Sequence, residues 1–384
     1  MQNFRFHNPT EVVFGKGAIA DLSGLVPEDQ VVLMTYGGGS IHKNGVYEQV
    51  KAALGNCKVV EFGGIEPNPR HETCMRAVDL AKKEGAGFLL SVGGGSVLDG
   101  TKYIAAALHH DGADPWDILA KAAPVNAATP LGCVLTLPAT GSESNGFSVV
   151  SRDATGEKLA FFSPLVFPKF AILDPDTTAT LPPRQIANGV VDAFAHVLEQ
   201  YLTHDVKSPL QDRQAEAILI TLVEEGPKVL ANPGDYDARA NVMWAATQAL
   251  NGIIACGVVQ DWATHMIGHE LTALYGLDHA QTLAVVFPAM MRHQRRQKAG
   301  KLLQYAARVW GVTEGDEDTR LAAAAAKTED FFRSLGVKTR LAEYGVTEGV
   351  ERVGERIEFR GQKLGEHQDI GRPEIDAILA ACAT

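Results

Sequence analysis

The chain has 384 residues, of which 46% are apolar and 21% charged, and a formal net charge of −11. That length suits two domains of roughly 100–200 residues each, and the composition is that of a soluble globular protein with a large core. The acidic balance repels polyphosphate and argues against a nucleic-acid partner; no apolar run is long enough to span a bilayer, and the opening residues lack the apolar stretch of a signal peptide, so no membrane partner is expected and the expected location is the cytoplasm.

Residues 11–14 form a short strand candidate that ends at Gly15 and Gly17. Residues 30–35, QVVLMT, are a short apolar run bounded by turn residues, as in a buried parallel strand. They run into Tyr36-Gly37-Gly38-Gly39-Ser40. A helix over 46–54 and a strand over 58–62 follow, then the breaks at Gly63-Gly64 and Pro67-Asn68-Pro69. Residues 72–84 are amphipathic and helical. Residues 88–92, FLLSV, form a third buried strand, which leads into Gly93-Gly94-Gly95-Ser96 and a helix over 97–108. Another strand over 131–137 opens onto a hydroxyl-rich loop from Pro138 to Gly146. Strands alternating with helices predict an α/β fold with a parallel sheet.

The two glycine clusters each close a strand and open a helix. A helix N-terminus exposes free N–H groups and a positive dipole end, and glycine lets backbone approach a phosphate without a Cβ in the way. Glycine turns also simply join strand to helix, but Ser96 adds a hydroxyl to the second cluster. Neither cluster is G-x-G-x-x-G or G-x-x-x-x-G-K-[ST]. The first cluster lacks the strand-end carboxylate that commonly holds an adenosine ribose 2′-OH; Ser40 and Lys43 stand there instead, which predicts NADP(H) over NAD(H). The loop from Pro138 to Gly146 either lines a nicotinamide or substrate site or is a solvated turn. It does not contain G-x-S-x-G, so a hydrolase nucleophile elbow is not supported.

Residues 149–172 read as β-rich and polar, with Lys158 close to the Thr155-Gly156 turn. Leu181-Pro182-Pro183 stops the extended pattern and opens a helix. The boundary is placed near residue 180, giving a domain over 1–180 and a helical domain over 181–384. Helices are predicted over 185–203, 210–230, 237–255, 261–275, 282–294, 298–310, 319–335 and 368–383.

Asp192 and His196 lie four residues apart on the first of these helices, so both project from one side. His265 and His269 repeat the spacing on a second helix, and His279 follows at a turn or helix start. Asp192, His196, His265 and His279 together would form a site with one oxygen and three nitrogens for a divalent metal; His269 would sit one turn from a ligand. H-E-x-x-H fails, because Ala273 follows His269-Glu270 at the fifth position, and no EF-hand loop is present. The five cysteines are scattered with no C-x-x-C pair, which argues against a disulfide framework and a thiolate-bound metal.

Taken together, the Gly93-Gly94-Gly95-Ser96 loop with Asp99, the Pro67-Asn68-Pro69 turn, Thr140-Gly141-Ser142-Glu143, Asp192-x-x-x-His196 and the His265 to His279 segment resemble the iron-containing, or group III, alcohol dehydrogenases. The likeness covers essentially the whole chain. It is strongest to the NADPH-dependent, butanol-dehydrogenase-like aldehyde reductases, through Thr35 to Ser40 (TYGGGS) and Ala280 to Leu283 (AQTL).

The resemblance implies a dinucleotide-binding α/β domain and an all-helical C-terminal domain with the active site in the cleft between them. It implies Asp192, His196, His265 and His279 as metal ligands, for zinc or iron. It implies cofactor contacts from Gly37, Gly38, Ser40, Asn68, Gly94, Gly95, Ser96, Asp99, Thr136, Ser142 and Lys158. It also implies a homodimer, often formed through the N-terminal strand. The chemistry expected is reduction of a small aldehyde to a primary alcohol, with the metal as Lewis acid, NADPH as hydride donor and a proton arriving from water or through His269. Rival readings are a glycerol-type polyol dehydrogenase, a dehydroquinate-synthase-like lyase, and a metal- or nucleotide-binding regulatory protein. The lyase's phosphorylated substrate needs basic groups in which the metal segments are poor.

Overall fold

The computed structural model describes residues 1–383. In the first half of the chain the elements are β1 (Glu11–Phe14), a short α1 (Leu22–Leu25), β2 (Val31–Tyr36), α2 (Val46–Leu54), β3 (Lys58–Phe62), α3 (His71–Glu84), β4 (Ala86–Gly94), α4 (Gly95–Ala107), a short α5 (Asp117–Ala120), β5 (Leu131–Leu137), β6 (Phe147–Arg152), β7 (Glu157–Phe162) and β8 (Phe170–Leu173). Six strands form one parallel sheet in the order β1-β8-β5-β4-β2-β3, while β6 and β7 make a separate antiparallel hairpin.

The apolar runs make sense as strands covered on both faces. Leu33 pairs with Leu89 and Leu89 with Leu131, and all three belong to one core with Cys74, Ala77 and Val78 of α3 and Leu98 and Ile104 of α4. The alternate residues Val32, Phe88, Val134 and Ile172 point the other way, onto Ile19, Leu22 and the α2 residues Val46, Val50 and Leu54. Successive strand residues face opposite sides, so each run feeds two cores.

The strand order has one reversal. From β2 the chain moves outward to β3, then crosses back to β4 on the other side of β2. Open α/β sheets bind ligands in the crevice at such a switch point, beyond the carboxyl ends of the strands. Here that crevice is flanked by the segments after β2 and at the end of β4, which are the two glycine clusters. The second cluster opens α4 directly, but the first opens only a 3₁₀ turn over Ser40–His42, and α2 starts later.

In the second half, all regular elements are helical: α6 (Pro183–Tyr201), α7 (Pro209–Ala231), α8 (Tyr236–Ala249), α9 (Ala263–Tyr275), α10 (His279–His293), α11 (Ala299–Arg308), α12 (Glu317–Ser334), α13 (Glu351–Phe359) and α14 (Arg372–Ala381). The chain divides into two compact units: Met1–Phe6, Pro182–Asn232 and Gln248–Thr384 in one, and His7–Leu181 with Pro233–Thr247 in the other. Most of α8 therefore goes with the sheet. Arg239 donates to the Pro175 carbonyl at 2.5 Å and to Asp176 at 3.0 Å, and Thr247 donates to Glu143 at 2.6 Å.

In the helical unit, α10 packs against α6, α9, α12 and α14. Two glycines permit close helix approach. A Cβ on Gly226 would lie 2.9 Å from Val190 of α6, and one on Gly268 of α9 would lie 2.7 Å from the Thr282 hydroxyl of α10. No helix among the described residues is long and apolar enough to cross a membrane.

Glu329 of α12 ties the lower part of this unit together. It accepts from Arg292 at 2.5 Å and from Thr339 at 3.0 Å, and Arg340 stands 2.6 Å away. Burial raises its carboxyl, but the bonds from Arg292, Arg340 and Thr339 outweigh that and bring it down to about 2 from 4.5. A depressed carboxyl contributes stability above its unfolded pKa, which is lost as pH falls through the folded one. The melting-temperature advantage of the wild type over Glu329→Gln should therefore shrink as pH is lowered from 4.5 toward 2, as a series of thermal melts would show.

Candidate active site

The helix α6 begins at Pro183, where the absent N–H costs nothing. Its buried face includes Asp192, His196 and Glu199, at positions i, i+4 and i+7. The other donors arrive through a turn built to meet α6. The left-handed Gly276 ends α9, and Asp278 caps α10 in a reciprocal box with Gln281. The Asp278 carboxylate also accepts from Asn188 of α6 at 2.8 Å and from Arg184 Nε at 2.9 Å. One residue after that anchor, His279 comes to Asp192, with Nε2 3.6 Å from Oδ1.

Asp192, His196, His265 and His279 converge: one donor atom from each lies within 4.8 Å of all the others. His196 Nδ1 is 3.9 Å from Asp192 Oδ1, and the His196 and His265 ring centroids are 4.8 Å apart. A tetrahedral ion with bonds near 2 Å needs donor separations of about 3.3 Å, so small side-chain rotations close the shell. Three of the residues are buried, at 3% for Asp192 and 5% for His196 and His265, while His279 is half-buried. The donor set is that of a borderline divalent cation, three imidazoles and one carboxylate, with no thiolate. It fits such an ion.

His265 is oriented by a residue that sequence reasoning missed. Glu199 Oε1 accepts from the His265 backbone N–H at 3.0 Å and lies 2.9 Å from its ring Nδ1. With Nδ1 so engaged, Nε2 is the nitrogen turned to a metal, an outer contact that fixes both tautomer and ring plane. Burial pushes the Glu199 carboxyl up to about 8, helped by Asp261, while the His265 N–H and Lys298 pull the other way. The signal was in the chain, as an acid one turn beyond His196 on the same helical face. His269 is buried beside the quartet, its ring centroid 5.1 Å from that of His279, and it stands outside the converging group.

The proposed cofactor residues all lie on the sheet unit. Gly37 and Gly38 follow β2, Gly94 ends β4, and Gly95 and Ser96 begin α4, a helix of 13 residues. The glycines are sterically required at two places: a Cβ on Gly95 would lie 2.3 Å from the Thr140 hydroxyl, and one on Gly94 would lie 3.0 Å from Leu137. Asn68 takes a left-handed conformation, φ 57°, and its N–H donates to Ser96 Oγ at 3.3 Å. Lys158 of β7 donates to the Asn68 side chain at 2.8 Å. The structure thus brings Asn68, Ser96 and Lys158 together at the N-terminus of α4. Thr136 is buried near the end of β5, and Ser40 is exposed after β2.

Asp99 and Ser142 bond each other rather than standing open, Oγ to Oδ1 at 2.6 Å, and Asp99 Oδ2 accepts the Val149 N–H at 3.0 Å. Beneath them lies Lys102, fully buried and also missed in the sequence. Its ammonium meets five oxygens: Ser142 O and Oγ, Asn145 O and Oδ1, and Phe147 O, at 2.6–3.2 Å. Burial pushes its pKa down to about 8, and the carboxylates of Asp99 and Glu143 oppose that. The cation holds the 142–147 loop in one shape.

Family models match on both halves: iron-containing alcohol dehydrogenase over residues 9–175, and the C-terminal region of the Fe-containing alcohol dehydrogenase family over residues 186–379. The chain is 58% identical over 374 residues to the NADPH-dependent aldehyde reductase YqhD of Escherichia coli, covering 96% of this chain and 97% of that protein. It is 44% identical to the NADP-dependent alcohol dehydrogenase 3 of Entamoeba histolytica, over 96% of each. The crystal structure of E. coli YqhD superposes with a TM-score of 0.98 at 56% identity, covering 100% of this chain and 99% of that one. With both halves matched and relatives this similar along nearly their full length, the chain belongs to the iron-containing alcohol dehydrogenase family.

Proposed function

We propose that this protein is a metal-dependent aldehyde reductase that transfers hydride between NADP(H) and small aldehydes and primary alcohols. The observation that carries the reading is the convergence of Asp192, His196, His265 and His279, three of them buried. A divalent ion there, Zn²⁺ or Fe²⁺, retains positive charge beside a single carboxylate and supplies Lewis acidity toward a carbonyl oxygen, while a reduced nicotinamide supplies the hydride. The chain's own residues do the rest. Glu199 fixes the ring of His265. The free N–H groups at the start of α4, with Ser96, Asn68 and Lys158, hold phosphate and ribose oxygens. Residues 35–40 carry no acid, so a 2′-phosphate meets no carboxylate there.

The deciding assay follows NADPH and NADH absorbance with butanal, glycerol and no substrate, on protein whose metal content is measured. Butanal reduction with NADPH, faster than with NADH and lost on chelation, supports the reading. A preference for NADH, or turnover that survives metal removal, overturns it.

His269 is proposed as the group that passes a proton to the product oxygen. His269→Ala should lower kcat by roughly 10²-fold, the lower range for a general acid, with metal content unchanged. Loss of metal in that variant would make His269 a ligand instead. We also propose that two copies pair through β1, an edge strand that ends at the exposed Phe14; a single-chain mass by sedimentation at micromolar protein would exclude this. All five cysteines are free, which suits the reducing cytoplasm.

A further inference from the structure

We infer a second, separate transition-metal site formed by His204, Glu366 and His367 of the helical unit. One donor atom from each lies within 4.8 Å of the others. His204 stands just after the end of α6. Glu366 and His367 sit in the tight turn between α13 and α14, closed by paired backbone bonds between Leu364 and Ile370. That turn contains two left-handed residues, Gly365 with φ 85° and Gln368 with φ 56°. The backbone around the three side chains is thus fixed by its own hydrogen bonds.

The base of the cluster is a buried carboxylate. The Glu366 side chain is 2% exposed, whereas that of His204 is 44% exposed. Glu366 is held from below: its N–H donates to Asp261 Oδ2 at 3.2 Å, and Lys298 Nζ lies 3.6 Å from Oε1. The other oxygen, Oε2, accepts the His204 N–H at 2.7 Å and lies 2.8 Å from His204 Nδ1. The rings of His204 and His367 lie nearly parallel, 23° between planes and 5.2 Å between centroids. Two exposed histidines thus meet one buried carboxylate side chain.

Two nitrogens, one oxygen and open positions select late first-row divalent ions over Mg²⁺ or Ca²⁺. The 2.8 Å separation of Nδ1 and Oε2 is shorter than a tetrahedral edge. It is close to the edge of about 2.9 Å between adjacent ligands at right angles on an ion with bonds near 2.05 Å. In the affinity order of nitrogen and oxygen sites Cu²⁺ stands highest with Ni²⁺ next below it, which makes these two the ions to test. The ion would take the His204 Nδ1 now bonded to Glu366, and the ring proton would move to Nε2. None of these residues belongs to the Asp192 quartet, and the site stands whether or not the aldehyde reductase reading does.

The test uses untagged protein already loaded at the Asp192 quartet. Calorimetric titration with Ni²⁺ should show a further equivalent per chain. His204→Ala/His367→Ala should lose that equivalent and keep its butanal reduction rate in the absence of Ni²⁺. With the quartet already filled, the Cu²⁺ electron paramagnetic resonance spectrum of the wild type should carry imidazole nitrogen hyperfine structure that His204→Ala/His367→Ala lacks. No further equivalent in the wild type, equal Ni²⁺ uptake by the double variant, or a Cu²⁺ spectrum without nitrogen coupling would each overturn the site.

Discussion

Asp192→Ala should lose the bound ion and, with it, roughly 10³-fold or more of kcat/KM, the several kcal/mol that a Lewis acid contributes to a carbonyl transition state. Asp192 is the only anionic donor of the quartet, so its removal leaves three neutral rings around a dication. It also stands 3.6 Å from His279 and 3.9 Å from His196, so two of those rings lose their common neighbour. The folded state should survive, because α6 is held by its apolar face and by the Asp278 anchor. The check is metal analysis together with steady-state kinetics and a far-UV spectrum. Full metal content with lost activity would move the role of Asp192 from ligand to chemistry, and unchanged activity would dismiss the quartet altogether.

Lys102→Met is expected to have the largest effect on stability. The ammonium serves five oxygens in a fully buried place and lies beside the buried acids Asp99 and Glu143. Methionine keeps most of the volume and none of the bonds. Leaving buried carboxylates uncompensated costs about 3–5 kcal/mol, a large part of the total stability of an ordinary domain. Urea denaturation should show that loss, and NADPH affinity should fall with it, because the 142–147 loop lies in the same network as Asp99. An unchanged midpoint would mean that the loop is held by its other bonds, such as Asn145 to Gly141 at 2.8 Å.

The α/β half is readable from the chain because its strands are short apolar runs that feed two cores, as with Leu33 and Val32. The helix α6 is readable from its long buried face. The joining of Asp192 to His196 is readable from spacing alone, whereas the same spacing pairs His265 with His269, which stands outside the group. What brings the quartet together is not readable that way: it depends on Asp278, whose capping of α10 and grip on Asn188 are long-range facts. Lys102 escapes notice because a lysine in a helix reads as solvent-facing. The helix α13, ERVGERIEF, reads as polar because only Val353, Gly354 and Ile357 are buried in it. The segment of α8 looks like any other helix of the second half, and only its bonds from Arg239 and Thr247 assign it to the sheet.

Every member of the proposed metal quartet comes from α6, α9 or α10, and every residue expected to grip the dinucleotide comes from segments before residue 160. The two sets share no residue, so each can be complete without the other. Protein stripped of its ion would keep every group expected to hold the coenzyme and still turn nothing over.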